Sequence, residues 1–371
     1  MIRPDSRIAA ALLRIDPDAI IANYRSIAER VAPARVAAVV KADAYGLGAA
    51  RVAGALAEAG CRAFFVAHLF EAVALKEVLP HDAALYVLNG LQPGSEPDCA
   101  VLGIVPVLNA LDQVDRWAAH ARALGRDLPA VLQVDSGMAR LGLSAADVAA
   151  LCNSPEHLAG IRLTLLMSHL ACADDPHAGA NAAQLGVFDG LAARFPGVPR
   201  ALSNSGGAFL DRPFHFDWVR AGIALYGGAP EGRAPSPMRP VLSLLARIIQ
   251  VRDLPAGTGV GYGHSFTAER PTRIATIGVG YADGWLRALS NRGSAFIGGR
   301  RVPIAGRISM DSMTLDATGV PETLLTPGSL VELIGPHQSL DDVAADAGTI
   351  AYEILTQLSA RYAREYGALL P

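Results

Sequence analysis

Lysine occurs twice in this chain of 371 residues, at Lys41 and Lys76, although 32 side chains are basic, so arginine fills nearly every ordinary cationic position. Arginine can replace lysine as a solubilising charge, but it keeps its proton in a protein and can neither condense with a carbonyl nor act as a general base. A lysine kept against that trend is a candidate for chemistry that needs a neutral amine. Lys41 follows the apolar run 36–40 in V-V-K-A-D-A-Y-G-L-G, where burial would depress its amine from the free value of about 10.4. That setting suits a nucleophilic, carbonyl-condensing amine. The alternative is a strand-end lysine that snorkels to solvent. Lys76, in E-A-V-A-L-K-E, reads as a solvated helix charge.

The elements that must position Lys41 alternate. Up to about residue 225, short Val/Leu/Ile-rich runs at 36–40, 63–67, 84–88, 105–108, 130–134, 163–168, 200–203 and 217–219 alternate with amphipathic segments. The runs lack period-two alternation, as expected of parallel strands covered on both faces. The helix over 17–31 has Asp16 as cap, Pro17 in the first turn, and Ile20, Tyr24, Ile27 and Val31 on one face. Another opens at Ser144-Ala-Ala-Asp147, a capping-box pattern. Eight such units predict a (β/α)8 TIM-type barrel.

The pattern breaks at 227–240, G-G-A-P-E-G-R-A-P-S-P-M-R-P, which reads as a linker. Beyond it lie strand-like stretches at 242–251, 273–279 and 329–334, a hairpin through Gly298-Gly299, and a closing helix over 350–366. The expected organisation is a barrel domain over 1–230 and a mostly β domain over 241–371.

Composition narrows the function classes. A formal net charge of -3 gives no basic stripe for nucleic acid. Apolar runs break well before the ~18 residues of a membrane span, and the first residues, M-I-R-P-D-S-R, lack a secretory apolar core. A cytoplasmic enzyme with no membrane association is expected. The four cysteines have no C-x-x-C spacing, which argues against structural zinc or a disulfide framework. The cluster H-L-A-C-A-D-D-P-H at 169–177 fits no metal motif, so no metal is expected.

Barrel enzymes carry their chemistry at the C-terminal strand ends, with phosphate often bound after strands seven and eight. Lys41 falls after strand one, Arg140 after strand five in V-D-S-G-M-A-R-L-G, and His169 after strand six. Asn204-Ser205-Gly206-Gly207 follows strand seven, and Arg220-Ala-Gly222-Ile223 ends strand eight. The last two supply hydroxyl and backbone donors suited to a small phosphate monoester. Lysine, phosphate donors and barrel together point to pyridoxal 5'-phosphate. Taken singly, the arginines read more often as surface or interface charges, His169 as a satisfied core histidine and Tyr262 as a turn aromatic.

Seven segments in order carry a resemblance along nearly the whole chain: A-V-V-K-A-D-A-Y-G-L-G (38–48), V-D-S-G-M-A-R-L-G (134–142), S-N-S (203–205), R-A-G-I-A-L-Y-G (220–227), G-Y-G-H-S-F-T-A (261–268), G-Y-A-D-G-W (280–285) and G-R-I-S-M-D (306–311). They resemble the bacterial alanine racemases, a family with a cofactor-binding barrel and a C-terminal β domain. The resemblance implies Lys41 as cofactor lysine and one catalytic base, with Tyr262 as the other. It implies Tyr45, Ser205, Gly222, Ile223 and Tyr352 around the phosphate, Asn204 with them, and Arg220 at the pyridine nitrogen with His169 beside it. Arg140 and the Met310 N–H would take the carboxylate of L- or D-alanine, while Tyr281 and Tyr352 narrow the entrance. It also implies a homodimer, with Tyr262, Tyr281 and Met310 reaching the other subunit's site.

Racemisation needs proton transfer on both faces of Cα, hence two flanking acid/base groups. Two positions depart from the family. Many members have a carbamylated lysine where Gln133 stands, and some have cysteine where Ser309 stands. Serine or broader racemisation, decarboxylation on a similar barrel, and a non-catalytic cofactor-binding protein are the competing readings. Arg220 argues against decarboxylation, and Tyr262 against a merely binding role.

Overall fold

The computed structural model describes residues 4–232 and 235–369, so positions 233 and 234 of the expected linker lie outside the described residues. The chain divides into two compact units, one formed by Ile21–Leu225 with Pro230–Gly232, the other by the segment up to Ile20, Tyr226–Ala229 and the remainder from Arg233.

Strand β1 (Ala11–Ile15) opens the chain, and the first unit follows with β2 (Arg35–Val39), β3 (Ala63–Val66), β4 (Ala84–Val87), β5 (Val105–Leu108), β6 (Leu128–Gln133), β7 (Ile161–Met167), β8 (Arg200–Ala201) and β9 (Trp218–Ala221). The parallel order is β8-β7-β6-β5-β4-β3-β2-β9. The Asp217 N–H donates to the Arg200 carbonyl at 3.1 Å and the Arg220 N–H to that of Ser203 at 3.0 Å, closing the ring between β8 and β9. This is the expected eight-stranded barrel. Its strands are buried on both faces, including Phe64, Phe65, Val107, Leu132 and Leu166, each contributing about 1.5–3 kcal/mol of apolar burial. The helix caps follow the local signals: the Ala19 N–H donates to Asp16 Oδ1 at 3.0 Å, and the Asp147 N–H to Ser144 Oγ at 3.1 Å.

The second unit is mostly β: β10 (Leu242–Leu254), β11 (Gly259–Val260), β12 (Phe266–Thr267), β13 (Thr272–Ile277), β14 (Ser294–Ile297), β15 (Arg300–Pro303), β16 (Met313–Asp316), β17 (Leu330–Ile334) and β18 (Ala363–Tyr366). The main sheet runs β15-β14-β17-β10-β1-β18, and β13 branches from β10 to pair β16. Two findings differ from the sequence-based outline. Strand β1 belongs to this sheet rather than to the barrel, antiparallel to β10 with Leu13 opposite Leu244 and parallel to β18 with Leu13 opposite Arg364. The division at residue 1 therefore shifts to about Ile20. The closing helix stops at Gln357, and 363–366 form an edge strand instead, because pairing with β1 overrides the local helical preference of A-R-E-Y. Among the described residues no helix is long and apolar enough to cross a membrane.

Candidate active site

The reactive segment begins where β2 ends. The Val40 N–H still donates to the Phe65 carbonyl at 2.9 Å, and Lys41 then leads into Ala42, Asp43, Ala44 and Tyr45, with φ of 52°, 55°, 53° and 56°. Four consecutive left-handed residues other than glycine cost roughly 1–2 kcal/mol each. Strain of this kind persists only where surrounding contacts impose it, and it concentrates at functional sites. Here the Gly46 N–H closes the turn on the Ala42 carbonyl at 2.8 Å, and Asp43 Oδ1 accepts from the Ala49 N–H at 2.7 Å. Burial lowers the Lys41 amine from its ordinary value, Arg140 lowers it further, and Glu71 opposes them.

Arg140 sits on an exposed loop with a rigid frame. Asp135 Oδ1 accepts from the backbone N–H groups of Gly137, Met138 and Ala139 at 2.9, 3.0 and 3.1 Å. Gly142, at φ 109°, closes the loop so tightly that a Cβ would lie 2.7 Å from the Val134 carbonyl carbon. Gln133 is buried, and its amide donates to the Leu141 carbonyl at 3.2 Å, so it meets the arginine loop through the backbone beside Arg140.

Arg220 is 3 % exposed, and burial pulls its guanidinium down to about 10, still charged at neutral pH. It donates to the carbonyls of Ala201 at 3.0 Å, Ser168 at 2.5 Å and Leu202 at 3.3 Å, and approaches His169 Nδ1 at 3.3 Å. A guanidinium can only donate, and on the other side of the ring the Asn204 amide nitrogen approaches Nε2 at 3.4 Å, so both ring nitrogens face donor groups. Burial, then Arg220, Arg140 and Lys41, push His169 down to about 3, leaving it neutral. Buried Gln184 fixes the loop behind it, donating to the His169 carbonyl at 2.9 Å and accepting from the Ala171 N–H at 2.8 Å.

The phosphate-type donors also converge. Ser205 Oγ accepts from the N–H groups of Gly222 at 2.8 Å and Ala224 at 3.3 Å, which leaves its own proton to donate outward. Gly222 thus supplies room rather than a free donor: a Cβ there would meet the Tyr45 hydroxyl at 2.5 Å. The Ile223 N–H has no acceptor among the described residues. Asn204 braces this loop, accepting from the Gly207 N–H at 3.0 Å and donating to the Leu170 carbonyl at 3.3 Å. A hydroxyl, a backbone donor and a glycine cradle, all close to a lysine of lowered basicity, fit a phosphorylated aldehyde.

The remaining predicted residues lie on the β unit: Tyr262, Tyr281, Met310 and Tyr352 are 68 %, 43 %, 53 % and 39 % exposed. Tyr281 and Met310 are brought together there, since the Tyr281 N–H donates to the Ser309 carbonyl at 3.0 Å and the Ala282 N–H to that of Met310 at 2.9 Å. Gly280 permits the approach, as its Cβ would sit 2.4 Å from the Met310 carbonyl oxygen. Sequence reasoning overlooked Glu71, Asp135 and Gln184. The D-S-G turn signal could have exposed Asp135, whereas Gln184 carries no local signal.

The fold is a barrel that gathers a lysine of lowered basicity, a serine, glycine and tyrosine cluster, and a buried charged arginine. Models of the alanine racemase N-terminal and C-terminal domains match residues 15–230 and 241–366. The chain belongs to the alanine racemase family. It is 57% identical to an alanine racemase of Brucella canis, covering 96% of this chain and 94% of that protein. It is 55% identical to a catabolic alanine racemase of Agrobacterium fabrum, over 96% and 92% of the two chains. Among solved structures, the alanine racemase of Bartonella henselae with covalently bound pyridoxal phosphate superposes with a TM-score of 0.93 at 45% identity, covering 96% of this chain and 99% of that one.

Proposed function

We propose that this protein is a pyridoxal 5'-phosphate-dependent alanine racemase that interconverts L- and D-alanine with two bases, Lys41 and Tyr262. The observation that carries the reading is the strained turn presenting the depressed Lys41 amine beside Arg140, on a barrel that also holds the Ser205–Gly222–Tyr45 cradle. When bound, the cofactor supplies a carbonyl that condenses with amines and a ring that withdraws electrons from the substrate Cα. Lys41 would hold it through Nζ, and the same amine would exchange a proton on one face of the substrate Cα. Tyr45, Ser205, Gly222 and Ile223 would surround the phosphate, with Asn204 holding the loop.

Arg220 would face the pyridine nitrogen of the bound cofactor. A guanidinium that stays charged at neutral pH gives a hydrogen bond rather than a proton, so it limits the electron demand of the ring and favours clean return of the proton to Cα. Neutral His169 keeps Arg220 oriented without adding a charge. Arg140 and the Met310 N–H bind the substrate carboxylate, and Tyr281 with Tyr352 limits the entrance.

The exposure of Tyr262, Tyr281 and Met310 supports a homodimer in which these residues serve the other subunit's barrel. The cellular role we infer is supply of D-alanine for peptidoglycan in the cytoplasm. Relatives named catabolic favour a second role, use of the racemase in alanine breakdown. The activity is tested with purified protein, cofactor and L-alanine in D2O, followed by chiral chromatography and NMR. Racemisation with deuterium at the α-position is expected. Carbon dioxide release or inertness would contradict the reading.

A further inference from the structure

The inference concerns Glu71 and rests on the reading of Lys41 as the reactive amine. Glu71 is the third residue of the helix Leu69–Lys76, a position where an acid ordinarily does no more than cap. One oxygen does cap: Oε2 accepts from the N–H groups of Ala67 at 2.8 Å and His68 at 2.9 Å. The other crosses to the neighbouring β/α unit, where Oε1 accepts from the Ala42 N–H at 2.6 Å. Ala42 is the residue after Lys41 and the first of the left-handed series.

Within the turn, the bonds from Gly46 to Ala42 and from Ala49 to Asp43 are internal to its own segment, and ahead of it the Val40 N–H holds the strand end to the Phe65 carbonyl of β3. Glu71 adds a side-chain tether on the other side of Lys41. We propose that Glu71 is a positioning residue for Lys41, tying the strained turn to the segment that follows β3 through the N–H groups of Ala42, Ala67 and His68. Of the charged groups around Lys41, Arg140 and burial favour the free amine, whereas Glu71 favours the ammonium. Asp43, next in the turn, is engaged with the Ala49 N–H, and His169 is neutral. The carboxylate therefore sets a limit on how far the lysine is depressed.

The scarcity of lysine makes the test direct. With Lys76→Arg the full-length chain holds one lysine, so 13C-lysine labelling gives one Cε signal whose titration reports Lys41. In that background, without cofactor, Glu71→Gln is expected to lower the titration midpoint by about one unit, because an opposing charge has been removed. Glu71→Asp keeps the charge and is expected to shift it less than half as far. An unchanged midpoint in both variants, with the loss confined to thermal stability, would reduce Glu71 to a helix cap and overturn the proposal. If Glu71→Gln does not fold, Glu71→Ala, which also removes the charge, decides: a downward shift supports the role and an unchanged midpoint overturns it. The titration is read without turnover, so its result is separable from failure of the racemase reading.

Discussion

The residues assigned to chemistry on the barrel and those on the β unit are held by opposite means. On the barrel, Arg220 is sealed among carbonyls, His169 is pinned through both its ring and its backbone, and Lys41 rides on a strained turn. On the β unit, Tyr262, Tyr281 and Met310 project from short turns, Tyr352 sits on the helix Ala351–Gln357, and all four are more than a third exposed. The difference teaches that the barrel fixes charge, through burial and hydrogen bonds, whereas the β unit presents its groups at the surface. Substitutions on the barrel should therefore disturb electrostatics or stability, and substitutions on the β unit should disturb turnover alone.

The largest effect is expected for Lys41→Ala, which removes the covalent anchor and one base together. Racemisation measured by chiral chromatography should disappear, while Lys76→Arg should leave it unchanged. Residual racemisation in Lys41→Ala would show that the amine is not essential. Tyr262→Phe should cost about 10²- to 10⁴-fold in overall rate with no loss of thermal stability, because the hydroxyl lies on an exposed turn. A fall in melting temperature would erase the contrast between the two regions.

Arg220→Glu sharpens the barrel side. It puts a carboxylate against three backbone carbonyls that the guanidinium now satisfies. Denaturant melts should show a loss of about 3–5 kcal/mol, the usual cost of breaking a buried charged network. A near-neutral result would mean that Arg220 is held more loosely than its hydrogen bonds imply.

Gln133→Lys probes the departure from the family. A carbamylated lysine would place a negative partner beside the Arg140 loop that Gln133 touches only through the Leu141 carbonyl. Bicarbonate should then alter the KM for alanine by up to about tenfold in the variant, the worth of one charge-assisted hydrogen bond, and leave the wild type untouched. Bicarbonate dependence in the wild type would contradict the role assigned to this position.

The smallest effect concerns pH. His169 is held near 3 in the folded chain against an ordinary 6.5, so the unfolded chain takes up a proton that the folded one refuses. Stability is fully present above about 6.5 and declines as pH falls towards 3. Melting temperatures of His169→Gln should fall less steeply between pH 6.5 and 4 than those of the parent. Parallel curves would show that another group governs the acid limb.

Much of this was legible in the sequence because it is local. The eight barrel strands announce themselves as continuous apolar runs, and the lysine stands out because arginine has replaced its kin. Strand β1 was not legible, since five residues just ahead of a helix acquire their meaning only from partners more than two hundred positions away. The closing strand 363–366 failed for the same reason. The helix Leu340–Ala347 is different: its Ser339–Asp342 capping box, with the Asp342 N–H on Ser339 Oγ at 3.1 Å, was a local signal that went unread. In the site, residues that act with their own side chains were visible as motifs. Glu71 and Gln184, which act by bonding other segments' backbones, were not.

The central claim is that two bases on opposite units serve opposite faces of Cα, and the Tyr262→Phe variant in D2O tests it most directly. Single-turnover exchange should persist for D-alanine, which the Lys41 face handles, and collapse for L-alanine, whose α-proton Tyr262 would take. Equal loss of exchange from both enantiomers would contradict the assignment of Lys41 and Tyr262 to separate faces.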